Sequence, residues 1–228
     1  MPSQTMGRTI WFLTTNQGKV EEARDHVSGY GYDIQQLIVP GVELVEPQTD
    51  DLVIVAKAKI EQARPHLPNP DDLLLVEDAG LFVQALHGFP GVYSAHALKT
   101  IECQGMIRLL SHLQSEDPVQ EKKLRAAEFQ AVAALWDGTT VHIGHGRCPG
   151  SIATTVMEGE GFGFDPVFIP ADLDENRQPL SPGDLGAFSS HGKTFGAMKM
   201  SEKHLYSHRR RALDDLMAVL NGMHGAVD

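Results

Sequence analysis

Glu77 and Asp78 stand side by side in Leu75-Val76-Glu77-Asp78-Ala79-Gly80-Leu81, after a short apolar run and just before a glycine. Two carboxylates delivered together at a strand end are suited to hold a hard divalent cation and activate water. Glu46 is a third acid, ahead of a helical stretch that carries Lys57 and Lys59. Magnesium binds through few carboxylates and keeps waters and phosphate oxygens for its remaining positions, so two or three acids suffice. A plainer role is open to each: Glu46 as a turn residue before Pro47, Glu77 and Asp78 as turn or cap residues.

Three further groups ask for an anionic, flat partner. Thr14-Thr15-Asn16-Gln17-Gly18-Lys19 follows an apolar strand and opens a helix. Free backbone N–H groups and the positive end of the helix dipole favour phosphate there, and Lys19 adds a cation. The glycine spacing matches neither a Walker loop nor a dinucleotide fingerprint. The same residues would also serve as an ordinary polar cap. Gly159-Glu160-Gly161-Phe162-Gly163-Phe164-Asp165-Pro166 interleaves glycines with aromatics. Backbone can approach a flat ligand there and a Phe face can stack on a base, with Asp165 accepting from base or sugar. A glycine turn with both Phe rings in the core is the plainer alternative. Lys203-His204-Leu205-Tyr206-Ser207-His208-Arg209-Arg210-Arg211 is a basic cluster at the head of the last helix. His208 and Arg209 can donate to a purine 6-oxo group, whereas a 6-amino group would leave buried donors unpaired.

These groups need elements to carry them. Thr9 to Leu13 reads as a buried first strand, and Val20, Ala23 and Val27 share a helical face that Gly29 and Gly31 end. Ile34 to Val39 is a second strand; Asp50 or Asp51 caps a helix running to about Arg64, stopped by Pro65. Leu73 to Val76 and Leu81 to Leu86 are a third and a fourth strand. A helix carrying Ile101, Ile107, Leu109, Leu110 and Leu113 follows. Ala126 to Trp136 and Thr140 to Arg147 are strands joined by the Asp137-Gly138 turn. Ile152 to Met157 and Val167 to Ile169 add strands, and Leu205 to Leu220 is a C-terminal helix. The expectation is one α/β domain with a mixed sheet, and Asp172 to Lys193, without period, is expected to be an exposed loop insertion.

Composition narrows the class. The 228 residues suffice for one well-buried α/β domain. With 19 basic and 30 acidic residues the net charge is −11, which argues against non-specific nucleic-acid binding. Cys103 and Cys148 match no metal or redox spacing, so they read as thiols of a reducing compartment. Met1 to Arg8 lacks the apolar stretch of a signal peptide, and no apolar run approaches the ~20 residues that span a membrane. A cytoplasmic protein without membrane or nucleic-acid partners is expected.

Taken in order, the blocks resemble the inosine triphosphate pyrophosphatase family, the Ham1-like non-canonical purine NTP pyrophosphatases. The resemblance runs from Ile10 to Leu216. It rests on Thr14–Lys19, Val76–Leu81, Gly88-Phe89-Pro90-Gly91, Gly161–Pro166 and Ser207-His208-Arg209. It implies an elongated, twisted mixed sheet flanked by helices in two lobes, a central nucleotide cleft and a homodimer. It implies magnesium-dependent hydrolysis of ITP, dITP and XTP to the monophosphate and pyrophosphate, with manganese as a substitute. By matching position, Thr14, Thr15, Asn16, Gln17, Gly18, Lys19 and Lys59 fall to the triphosphate. Glu46, Glu77 and Asp78 fall to the metal, with Asp78 as proton acceptor and Lys19 beside it in catalysis. Ala79, Phe162, Gly163, Phe164, Asp165, Lys203, His208 and Arg209 fall to the rest of the substrate. Ala79 replaces the family's usual Ser or Thr, His204 replaces a common Asn, and the stretch between Pro170 and Thr194 is longer than usual. Lys57 competes with Lys59 for the phosphate, and spacing to Glu46 favours Lys59. The rivals are a pyrophosphatase for other modified nucleotides, a non-catalytic nucleotide sensor, and a nucleic-acid module built on Arg209 to Arg211.

Overall fold

Ile10 and Phe12 of the first strand, β1 (Thr9–Leu13), are fully buried, as the apolar run requires. The computed structural model describes residues 9–39, 41, 44–159, 161–220 and 222. Met1 to Arg8 and Glu160, which figured in the signal-peptide and glycine–aromatic readings, lie outside the described residues. The chain divides into two compact units, one drawn from Met1–Asp78, Ala131–Gly146 and Arg209–Asp228, the other from Ala79–Gln130 and Arg147–His208.

In the first unit β1 pairs in parallel with β2 (Asp33–Leu37), Thr9 opposite Asp33 and Leu13 opposite Leu37. On its other side it pairs in parallel with β3 (Leu73–Val83), Ile10 opposite Leu73 and Phe12 opposite Leu75. The Trp11 indole N–H donates to Asp72 at 2.8 Å and pins the β3 entry. Helix α1 (Gln17–Val27) buries Val20, Ala23 and Val27, and Asn16 caps it by accepting from the Lys19 N–H. Helix α2 (Leu52–Ala63) is capped by Asp51, which accepts from the Val53 N–H at 2.7 Å.

The second unit holds the C-terminal part of β3 and the two-residue strand β4 (Pro90–Gly91), antiparallel to it. A side chain at Gly80 would collide with the Gly91 carbonyl, so only glycine lets this pairing close. Helix α3 (Ser94–Leu109) is broken at Glu102, which takes a positive φ of 57°. Helix α4 (Pro118–Leu124) leads into β5 (Ala126–Trp136), which the Asp137–Thr140 turn joins to β6 (Val141–Ile152). Strand β7 (Phe168–Pro170) runs antiparallel to β6, and helix α5 (Met200–Tyr206) follows. The core of this unit gathers Leu81, Met106, Leu110, Phe129, Phe164, Phe168 and Phe195. Helix α6 (His208–Leu220) returns the chain to the first unit, where its backbone at Ala212 and Leu216 lies against Gly144 with no room for a side chain there.

Among the described residues seven strands make one mixed sheet in the order β2-β1-β3-β5-β6-β7, with β4 paired on β3. The α/β class with a mixed sheet is as expected from the sequence. Several boundaries are not. Leu73 to Val76 and the run from Leu81 belong to one eleven-residue strand, so Glu77 and Asp78 sit mid-strand rather than at a strand end. The acids are tolerated there because cations meet them on this unit, as described below. The strand expected at Ile152 to Met157 is the end of β6, and the residues after Ile152 are irregular. The expected single terminal helix is two, α5 and α6, separated by the extended backbone of Ser207 (φ −59°, ψ 115°). No Gly or Pro marks that break. Residues 172–193 carry no regular element but two isolated bridges, from Leu173 to Pro179 and to Phe188; Leu173 is buried and Leu185 is 88 % exposed.

Candidate active site

On the first unit, β3 presents Glu77 and Asp78 to different partners, as the alternation of a strand requires. The Glu77 side chain is fully buried, 2.6 Å from the Lys19 ammonium and 3.3 Å from the Arg209 guanidinium. Arg209 also donates to Glu22 of α1 at 2.8 Å. Burial by itself would lower the Arg209 pKa; Glu77 and Glu22 outweigh it and hold the guanidinium above its usual value. Lys19 and Arg209 thus share one buried carboxylate, an arrangement that ties α1, β3 and α6 together.

Asp78 pairs with Lys59 of α2 at 2.8 Å, and the same ammonium reaches Glu46 at 2.7 Å. Burial pushes the Asp78 carboxyl above the usual range; Lys59 opposes the shift, and Glu77 and Glu46 add to it. Burial would lower the Lys59 pKa, but Asp78 and Glu46 together raise it. The two shifts agree once the sharing is counted: one ammonium has two carboxylates, while Asp78 has one cation against burial and two like charges. Lys57 is exposed, so α2 turns Lys59 and not Lys57 toward these acids. Three acids around one point are not what this unit shows. Glu46 and Asp78 meet through Lys59, Glu77 meets Lys19 and Arg209, and among the described residues no group of three or more His, Cys, Asp or Glu is disposed to hold a metal ion.

The turn into α1 and its first residues expose Thr15, Gln17 and Gly18 and half-bury Thr14, Asn16 and Lys19. Thr14 Oγ1 accepts from the Asn16 N–H at 3.1 Å, and its carbonyl accepts from the Gln36 amide at 2.7 Å. The turn is therefore set from β2, and its outer residues at the helix N-terminus are exposed.

On the second unit, Asp165 is buried and accepts from Lys203 at 2.6 Å and from the Phe162 N–H at 3.0 Å. The Lys203 ammonium also lies over the Phe162 ring at 5.0 Å and the Phe195 ring at 5.4 Å. Phe162 is half exposed, whereas Phe164 is buried in the core, so the two aromatics of the run part company. Gly163, at φ +69°, makes the turn between them, and its carbonyl accepts from the Cys103 thiol. His208 is buried and stacks on Phe129, with ring centroids 4.8 Å apart and planes 9° from parallel. Ala79, half-buried, begins this unit's share of β3.

Sequence reading missed Glu22, Phe129 and Phe195. Glu22 lies on α1, 187 residues before its partner. Nothing local marks it, and the two Phe residues read simply as core.

Lys19, Glu77, Asp78 and Arg209 on one unit and Phe162, Asp165 and His208 on the other sit on the blocks that carried the resemblance. The Ham1 family model matches residues 10–219. The chain belongs to the Ham1 family. The dITP/XTP pyrophosphatase of Thermococcus kodakarensis is 41 % identical over 202 residues, covering 89 % of this chain and 91 % of the relative. The enzyme of the same name from Hyperthermus butylicus is 34 % identical over 209 residues, covering 92 % and 93 %. Among solved Ham1 structures, the Staphylococcus aureus protein matches with a TM-score of 0.69 at 26 % identity, covering 94 % of this chain and 99 % of that one. The Coxiella burnetii protein gives 0.70 at 25 % identity, with 94 % and 98 % covered. The mixed α/β sheet described above is thus the Ham1 fold.

Proposed function

We propose that this chain hydrolyses the non-canonical purine nucleotides ITP, dITP and XTP to the monophosphate and pyrophosphate, as a cytoplasmic homodimer. The observation that carries the reading is Lys59 held between Asp78 and Glu46, in a family whose relatives are named dITP/XTP pyrophosphatases. The donor chemistry fits a hard divalent ion: the carboxylate oxygens of Glu46 and Asp78 already converge on one cation, the Lys59 ammonium. Glu46 and Asp78 would hold it, with Glu77 contributing its charge from the next position of β3. Magnesium held there, or manganese in its place, would supply charge neutralisation on the phosphate oxygens.

The chain's own residues do the rest. Asp78 accepts the proton of the water that attacks the α-phosphorus. The N–H groups from Thr14 to Lys19 cradle the phosphates. Lys19 and Lys59 receive the charge that develops on departing pyrophosphate. Phe162 offers a face for the base, Asp165 and Lys203 polar contacts beside it, and His208 and Arg209 donors for a 6-oxo group. A 6-amino group would leave those donors unpaired, which is why ATP is the poor substrate.

The test is hydrolysis of ITP, XTP, GTP and ATP with and without magnesium, scoring pyrophosphate against orthophosphate, with Asp78→Asn in parallel. Magnesium-dependent pyrophosphate release from ITP or XTP is expected, slow on GTP and ATP, and lowered about 10³-fold or more in the variant. Orthophosphate as the first product would place the cut at another bond and reject the mechanism. Tight ITP binding without turnover would leave a sensor.

A further inference from the structure

His208 opens α6 directly after the extended Ser207, at a bend where backbone alone does not fix a ring plane. A residue of β5, 79 positions away in sequence, lies against that ring. Phe129 lies parallel to the imidazole, 4.8 Å between centroids and 9° between planes. Phe129 is itself held on two other sides: stacked with Phe195 at 6.0 Å and 6°, and edge-on to Phe168 at 4.6 Å and 63°. Phe195 and Phe168 are fully buried and contact each other at 5.1 Å. A ring packed this way in a close-packed core has one orientation, and it passes that orientation to the imidazole lying on it.

We propose that Phe129 is a positioning residue that sets the discrimination between 6-oxo and 6-amino purines by fixing the ring plane of His208. The inference rests on the function proposed above. An imidazole free to turn about its Cβ–Cγ bond aims its ring N–H over a range of directions; one stacked on a fixed phenyl face aims it within one plane. A 6-oxo acceptor gains from a donor already aimed, since no rotamer freedom is lost on binding. A 6-amino group has no acceptor at that position and gains nothing. Removing the phenyl face therefore weakens ITP selectively. Phe195 extends the same device, because its ring carries the Lys203 ammonium at 5.4 Å while stacking on Phe129. Two polar groups assigned to the nucleoside thus lean on one aromatic column.

The experiment is a double-mutant cycle on Phe129→Leu and His208→Gln, reading kcat and KM for ITP and ATP and metal-free equilibrium binding of both nucleotides. With His208 present, Phe129→Leu should raise KM for ITP about tenfold and leave kcat within about twofold. ATP should be unchanged, so the ITP-to-ATP preference narrows by the same factor. With His208→Gln in place, Phe129→Leu should cost little more, because the two act through one contact. Phe129→Tyr, which keeps the ring, should keep the preference. Phe129→Met fills similar space without a ring and serves as the second arm if the leucine variant does not fold. The His208 ring proton resonances, displaced by the phenyl ring current in the wild type, should move toward ordinary values in both ring-less variants. Equal losses for ITP and ATP, or equal losses with and without His208, would reduce Phe129 to a core residue and overturn the inference. A wild type that binds ITP without cutting it fails the proposed hydrolysis, while the binding cycle still decides the role of Phe129. A wild type that does not bind ITP fails both.

Discussion

Each unit buries an arginine, and the two are compensated in opposite ways. Arg209, on the first unit, meets the carboxylates of Glu77 and Glu22. Arg125, on the second, is almost fully buried and donates to neutral acceptors: the carbonyls of Ile152 at 2.7 Å, Leu110 at 2.7 Å and Ala153 at 2.8 Å, with Leu113 at 3.5 Å. Burial therefore lowers the Arg125 pKa, with Glu121 opposing, whereas the two acids keep that of Arg209 raised. A guanidinium saturated by carbonyls is a brace. It joins the ends of α3 and β6 and has no reason to release them. A guanidinium that shares the Glu77 carboxylate with Lys19 belongs to a charge network. The two units differ in the same way at their other cations: on the first, Lys19 and Lys59 meet carboxylates, and on the second the Lys203 ammonium lies over the Phe162 and Phe195 rings besides pairing with Asp165.

The largest effect is expected from Glu77→Gln. It leaves Lys19 and Arg209 without their shared buried charge and should cost about 3 kcal/mol of stability, read by thermal or denaturant unfolding. An unchanged midpoint would mean that the network is not held by Glu77. Arg125→Met comes next. It should cost about 2 kcal/mol, because the carbonyls of Leu110, Ile152 and Ala153 lose their donor. Turnover per folded molecule should stay near wild type at permissive temperature; a large loss of kcat with normal stability would make Arg125 more than a brace. The smallest effect is expected at the β5–β6 turn, away from both groups. His142 first, then Thr140 and Thr139, bond to Asp137 and hold its carboxyl well below the usual range. A carboxyl depressed in the fold contributes stability that is present above its unfolded value near 3.8 and lost as pH falls through the folded value. Asp137→Asn should therefore cost up to about 1 kcal/mol at neutral pH, for a pair that is partly solvated. The gap to wild type should close as the pH is lowered, and a gap independent of pH would assign the effect to the turn hydrogen bonds alone.

Much of the fold could be read locally. β1 and α1 have the buried positions their periodicity implies, Asp51 caps α2, and Asp137-Gly138 turns β5 into β6. The failures share one cause. Glu77 and Asp78 interrupt the apolar run of β3, and sequence alone reads a pair of acids as the end of a strand. Only sheet pairing and the ammonium groups of Lys19 and Lys59 keep them inside it. The break at Ser207 is equally silent, having neither glycine nor proline.

Residue types and their order determined the chemistry on offer: carboxylates and lysines for a metal–phosphate partner, aromatics, glycines and a His-Arg pair for a purine. These follow from functional groups and chain-local spacing, which any extended chain would display. Which acid meets which cation was decided by the tertiary structure alone. Strand alternation sends Glu77 to Lys19 and Arg209 and Asp78 to Lys59, and Phe129 reaches His208 across 79 residues. Pair distances across such separations depend on how sheet and helices pack, and no local pattern encodes them.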